Sequence, residues 1–134
     1  MLLIYNTDSI TLNLKKMEEY ALIFRHEDGM KVASPEQIQV WMKQTMDWIG
    51  GIAAQNKYVG GNGLAFEGAK TVWPKNVVTD GPFGEIKETL GGFIIVKAGS
   101  FDEAVEFAKG SPVLQGDGNS VEVRKLAKGD SVHK

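Results

Sequence analysis

Two histidines, His26 and His133, and no cysteine at all set the limits on the chemistry open to this chain. Without cysteine there is no thiolate nucleophile, no disulfide and no Cys-based zinc or iron–sulfur site. With one histidine in a polar C-terminal stretch and no HExxH pair, a His-rich metal site is not expected either, and no cofactor is called for. His26 is the residue with a chemical case. It directly follows an apolar run, where a strand opens into a polar loop, and an imidazole there is suited to acid–base work near neutrality. The competing reading is a histidine that merely faces solvent or caps the strand end.

Asp80 is the natural carboxylate partner for His26. An Asp that precedes Gly81 and Pro82 also commonly bonds its own turn backbone, and the two roles are compatible. Lys87 and Glu88 follow in the loop leading to an apolar strand; such a pair is either solvated or lines a cleft for an anionic or polar ligand. Arg25 and Arg124, near strand ends, are similar candidates. Trp73 offers an aromatic wall, though packing in a core or interface is the plainer role for a tryptophan. The expected set is therefore His26 and Asp80 as the acid–base pair, with Arg25, Lys87, Glu88 and Trp73 around them. Other chemistries lack their motifs. The run Gly60-Gly61-Asn62-Gly63 is not set between a strand and a helix as a dinucleotide site requires, no Walker lysine follows it, and no GxSxG elbow occurs.

A run of strands and two helices has to position these groups. Residues 20–25 form a strand apolar on both faces. Ser34, Pro35 and Gln37 carry the N-terminal signals of a helix: an N-cap serine, proline at the first turn and a capping-box glutamine. Ile38, Trp41, Met42, Thr45, Ile49 and Ile52 then recur at helical spacing, with Met46 and Trp48 widening the stripe, and Asn56 is the expected stop. Residues 57–69 read as a glycine-rich connection, with a short strand at 64–66. Thr71-Val72-Trp73 and Val77-Val78-Thr79 flank Pro74-Lys75-Asn76 as a hairpin. Residues 91–98 form a second two-faced apolar strand. Ser100 and Glu103 open a second helix whose face is Phe101, Ala104, Val105 and Ala108, and Gly110 ends it. In residues 120–126 Val121 and Val123 alternate with Glu122 and Arg124, as in a half-buried strand.

The order β-α-β-β-α-β predicts an α+β, ferredoxin-like fold: an antiparallel sheet with two helices on one face. In that topology the strand at 20–25 and the strand at 91–98 are central and antiparallel. The end of the first, at Arg25 and His26, then neighbours the start of the second, and the segment from Asp80 to Glu88 feeds into that corner. Because both strands are apolar on both faces while two helices cover one, the other face is expected to be buried on a second copy of the chain. The alternative cover is residues 1–16 or the 57–76 connection.

The chain has 134 residues, 43% apolar and 24% charged, with a net charge of −2, which fits one globular domain and gives no basic stripe for nucleic acid. No apolar run approaches a membrane span, and the apolar start is too short, with no basic residue before it, for a secretory signal. A cytoplasmic location is the plain expectation.

The segment Thr79-Asp80-Gly81-Pro82-Phe83-Gly84-Glu85-Ile86-Lys87-Glu88, followed by Leu90-Gly91-Gly92-Phe93, resembles the signature of the YCII-related proteins of the DGPF type. Leu22-Ile23-Phe24-Arg25-His26, Val59-Gly60-Gly61-Asn62, Ser111-Pro112 and Val121-Glu122-Val123-Arg124 fit the same pattern. The resemblance covers about residues 18–126, so the expected organisation is an N-terminal extension at 1–16, a domain at 17–127 and a tail at 128–134, with Met17 as the natural start and the first 16 residues dispensable for folding. It implies a dimeric α+β barrel, and it implies little about function. Some YCII-related relatives are enzymes in which a His–Asp pair has been proposed to act. DGPF members often occur beside, or joined to, sigma factors of the extracytoplasmic-function class, which is why some carry a transcription-initiation label. Two expectations follow: a small-molecule enzyme or ligand-binding protein using a cleft with His26 and Asp80, or a non-catalytic partner protein associated with a sigma factor.

Overall fold

A computed structural model describes residues 17–27, 34–65, 68–81 and 89–127. The elements are β1 (Glu18–His26), α1 (Pro35–Ala53), β2 (Tyr58–Gly63), β3 (Lys70–Trp73), β4 (Val77–Asp80), β5 (Thr89–Ala98), α2 (Phe101–Lys109) and β6 (Ser120–Lys125). Short 3-10 turns at Pro74–Asn76 and Pro112–Gln115 join β3 to β4 and α2 to β6. Four strands form an antiparallel sheet in the order β2-β5-β1-β6, and β3 pairs with β4 in a separate two-stranded ribbon. The fold is thus the ferredoxin-like α+β arrangement, with β1 and β5 in the middle as their composition requires.

The β1–β5 ladder fixes the two faces. Tyr20 pairs with Val96 and Leu22 with Ile94, and these side chains, with Ala98, form the buried core with Ile52 of α1 and Ala104 and Ala108 of α2. Phe24, Trp48, Ile49, Phe107, Val121 and Val123 pack around it. On the opposite face Ala21 pairs with Ile95 and Ile23 with Phe93, which remains 38% exposed. No described element covers that face. The double-sided apolar pattern of both strands is real, and the helices account for one side of it.

Both helix starts are built as their sequences demand. Ser34 Oγ accepts from the Gln37 N–H at 3.1 Å, and Ser100 Oγ accepts from the Glu103 N–H at the same distance. The return arm of the second box is displaced by one residue: Glu103 accepts from the Gly99 N–H at 2.7 Å and also takes Lys57 Nζ, tying α2 to the start of β2. These bonds to the carboxylate pull its pKa below the ordinary range, the lysine contact contributing most. Helix α1 ends at Ala53, and Asn56 adopts the left-handed conformation (φ 60°) that suits asparagine in the turn beyond it.

Two readings of the sequence need correction. The glycine-rich run is itself strand β2, over Tyr58–Gly63, while residues 64 and 65 lie beyond its end. The glycines are there for close approach: a Cβ on Gly61 would overlap the backbone of Phe93 and Ile94 in β5. The apolar stripe of α1 also divides in two. Trp48, Ile49 and Ile52 pack into the core, whereas Ile38, Trp41, Met42 and Met46 are 44–66% exposed among the described residues. Periodicity identifies a face but not how far the sheet extends beneath it.

Leu22 is fully buried between the helices and the central strands. Leu22→Ala is expected to cost about 3 kcal/mol, because it removes the apolar contacts and leaves a cavity that β1 cannot close. Chemical denaturation should show a lower midpoint with unchanged slope; a loss under about 1 kcal/mol would contradict this assignment of the core.

Candidate functional site

His26 is the last residue of β1 and pairs in register with Thr89, the first residue of β5. Strand alternation decides which way it faces. Phe24, two residues earlier, packs edge-on against Trp48 at 5.9 Å between centroids, on the helix side of the sheet. His26 shares that side at the strand end. Arg25 takes the other face, where its Nη2 lies 3.1 Å and its Nε 3.3 Å from the same Oε1 of Glu122 on β6. Arg124 approaches the second oxygen of Glu122 at 3.6 Å. The adjacent pair expected to serve one site is therefore split between the two faces, as period-two alternation requires.

The corner around His26 departs from a regular ladder. The register of β1 against β5 shifts between Phe24 and Arg25: Phe24 pairs with Gly92 and Arg25 with Leu90, so Gly91 is the extra residue of a bulge. Gly91 and Gly92 have different reasons for lacking a side chain. A Cβ on Gly92, whose φ is 147°, would meet Asn62 and Gly63 of the neighbouring strand β2. A Cβ on Gly91 would overlap Cδ2 and Nε2 of the His26 ring. The imidazole thus lies with that edge directly over the β5 backbone. Beyond it the chain is held by the loop before β6. The Glu27 N–H donates to Asn119 Oδ1 at 3.0 Å, and Asn119 Nδ2 donates in turn to the Val113 carbonyl at 3.0 Å. Gly118, with φ 83°, leaves room for the Glu27 carboxylate.

Burial pushes the pKa of His26 below its ordinary value near 6.5, because the charged ring loses more hydration than the neutral one. The shift favours the uncharged ring at neutral pH, the state that accepts a proton or a hydrogen bond.

Asp80 ends β4 and is paired across the ribbon with Lys70, whose Nζ is 2.5 Å from Asp80 Oδ1; the aspartate side chain is 89% exposed. The turn after it is tied to β3 without the aspartate: the Gly81 N–H donates to the Ala69 carbonyl at 2.7 Å, and Thr71 Oγ1 donates to the Gly81 carbonyl at 2.8 Å. Asp80 and His26 accordingly stand on different sheets, joined through the segment that ends at Thr89. Lys87 and Glu88, and with them most of the DGPF segment, lie outside the described residues. Trp73 is half-buried on β3 and donates from Nε1 to Thr79 Oγ1 at 2.9 Å, so it belongs to the ribbon as Asp80 does. Among the described residues no cluster of three or more His, Asp or Glu side chains forms a metal site, and no helix is long and apolar enough to cross a membrane. The features missed from sequence are Gly91 and Asn119. The Gly91-Gly92 pair inside an otherwise apolar strand was the available signal, since glycine there marks a bulge or a close approach.

A family model described as the YCII-related domain matches residues 17–127. The chain is also similar to an uncharacterized protein of Rhizobium meliloti (strain 1021), 43% identical over 53 residues, which is 40% of this chain and 43% of that protein. The match therefore spans less than half of that relative's length.

The depressed pKa of His26 makes stability depend on pH in a defined direction. Below about pH 6.5 the unfolded chain takes up a proton at His26 that the folded chain resists, so stability falls as pH falls, until the folded pKa is passed. His26→Asn removes this component. Between about pH 7.5 and 5.5 its thermal midpoint should drop less than that of the parent. Equal drops would show that the ring titrates alike in both states.

Proposed function

The chain belongs to the YCII-related family, a family of the dimeric α+β barrel type, and we propose that it binds a small polar metabolite at the β1–β5 corner, with the neutral imidazole of His26 as proton acceptor. The observation that carries this reading is the seating of His26: a half-buried, uncharged imidazole on the helix side of the sheet, at the point where the DGPF segment enters β5. Phe24 and Trp48, in edge contact on the same side of the sheet, are proposed as its apolar walls, since apolar walls with a small number of placed polar groups are the usual composition of a ligand site. A neutral imidazole favours a ligand that carries an O–H, N–H or acidic C–H over a simple anion. Asp80, Lys87 and Glu88 are proposed to complete the site from the segment preceding β5, and Trp73 to wall it. Arg25 is proposed to act on the other face.

The open sheet face supports a homodimer as the working assembly. Ile23, Phe93, Ile95 and Ala21 form a contiguous apolar surface on the two central strands, with Arg25, Glu122 and Arg124 at its β6 side. Light scattering at micromolar concentration is expected to give about twice the 14.6 kDa chain mass; a stable monomer would remove this part of the proposal.

The site itself is tested by a metabolite screen read as a thermal shift on the parent, His26→Asn and Asp80→Ala. A ligand that raises the parent midpoint should lose most of its effect in His26→Asn, with circular dichroism unchanged. An Asp80→Ala variant that keeps the full shift would take Asp80 out of the site while leaving His26 in it. Absence of a shift with every metabolite class would favour a partner-protein role, for which co-purification with an extracytoplasmic-function sigma factor is the direct measurement.

A further inference from the structure

Beneath His26 the backbone of the central sheet makes room for a single side chain. The ring's Cδ2–Nε2 edge occupies the volume that any β-carbon at position 91 would fill, with Cγ of the ring 3.6 Å from it. Gly91 is not forced by its own backbone conformation, unlike Gly92 and Gly61, whose φ values are 147° and 159°. The three heavy atoms nearest to a Cβ on Gly91 all belong to His26. The bulge that makes Gly91 the extra residue lies directly beside Arg25 and His26 in the register. On the other side, Asn119 fixes the Glu27 N–H and Gly118 leaves space for the Glu27 carboxylate, so the residue after His26 is clamped as well.

We propose that Gly91 is a positioning residue for His26: the missing side chain is a seat that holds the imidazole flat on the β5 backbone, and the Gly118–Asn119 clamp on Glu27 keeps it from swinging out. Any β-carbon at position 91 displaces the ring from this seat. This rests on His26 being the working residue of the proposed site, but it requires no ligand to be known. Arg25 faces the opposite side of the sheet, engaged by Glu122, and the Glu27 backbone N–H makes the bond to Asn119.

The test is a double-mutant cycle on the full-length chain, with an NMR signature beside it. Gly91→Ala should lower the thermal midpoint of the parent by several degrees and should cost far less in a His26→Ala background, where no ring competes for the space. Gly92→Ala, which meets β2 instead, should cost the same in both backgrounds. If Gly91→Ala fails to fold alone, recovery of folding in Gly91→Ala/His26→Ala supports the seat equally well, and failure in both backgrounds overturns it. In ring 15N–1H correlation spectra, Gly91→Ala should move the His26 signals and leave those of His133 in place. Equal costs in the two backgrounds, or unmoved His26 signals, overturn the proposal. A ligand shift abolished by His26→Asn alongside an additive cycle would leave the binding site standing and remove the seat. A coupled cycle with an empty metabolite screen would do the reverse.

Discussion

Antiparallel pairing of β1 with β5 organises everything else in the molecule. Nine residue pairs, from Glu18 with Ala98 to His26 with Thr89, put the two most apolar segments side by side in the middle of the sheet. Once that register is set, alternation sends Tyr20, Leu22, Ile94, Val96 and Ala98 to one face, where α1 and α2 must close over them. It sends Ala21, Ile23, Phe93 and Ile95 to the other. A slip of one residue would exchange the two sets, so burial of the first set against the helices is also what specifies the register. The same ladder brings the end of β1 to the start of β5, which makes the corner around His26 a consequence of core packing.

At that corner the ladder has to yield. A regular strand would place a β-carbon wherever β5 passes beneath His26 and wherever it passes beside β2. The Gly91-Gly92 pair answers both demands with adjacent residues, and the bulge sets them in different directions. Glycine inside a strand weakens it, since it loses more chain entropy and packs no side chain. The sequence tolerates that cost at the only point of the central strand where the His26 ring lies against the backbone. The loss is offset by the remaining ladder, by Leu22 and Val96 in the core, and by the Glu27–Asn119 bond that closes the corner from the β6 side.

Legibility in the sequence follows from the range of the interactions involved. Helices α1 and α2 are set by local signals, a serine cap and a 3.6-residue period, and both start where those signals place them. The hairpin at Pro74–Asn76 is equally local, with Lys75 and Asn76 taking positive φ. The central placement of β1 and β5 was readable because two-faced apolar strands have nowhere else to go in this topology. Strand β2 was hidden because glycine usually signals a loop; only contact with β5, distant in sequence, turns that segment into a strand. The reach of the α1 stripe was misjudged for a related reason, since nothing in Ile38, Trp41 or Met42 states where the sheet beneath them ends. Of the site, His26 and its neighbourhood to the start of β5 could be read from topology, whereas the ion pair of Asp80 with Lys70 depends on the hairpin register, which the residue types alone do not fix.

The separation of Arg25 from His26 has a consequence for how assembly and chemistry relate. Arg25, Glu122 and Arg124 sit beside the apolar patch of the open face, with arginine and glutamate side chains 35% and 39% exposed. At that exposure the ion pair adds at most about 1 kcal/mol to the folded chain. A second copy laid on this face would strip its remaining water. The pair would then have to repay a desolvation cost of several kcal/mol, which the one shared Glu122 oxygen does only if further donors or acceptors come from the partner. Apolar burial of Ile23, Phe93 and Ile95 would supply the drive for such an assembly, and the charged cluster would supply its selectivity, because a misregistered copy would leave a buried, net-positive group unsatisfied. His26 stands outside this balance. It lies on the helix side, its pKa is lowered by burial within its own chain, and its seat is made from β5 of the same copy. Among the described residues, docking of the sheets on the open face would reach the imidazole through the β1–β5 ladder, which separates the proposed site from the proposed assembly face.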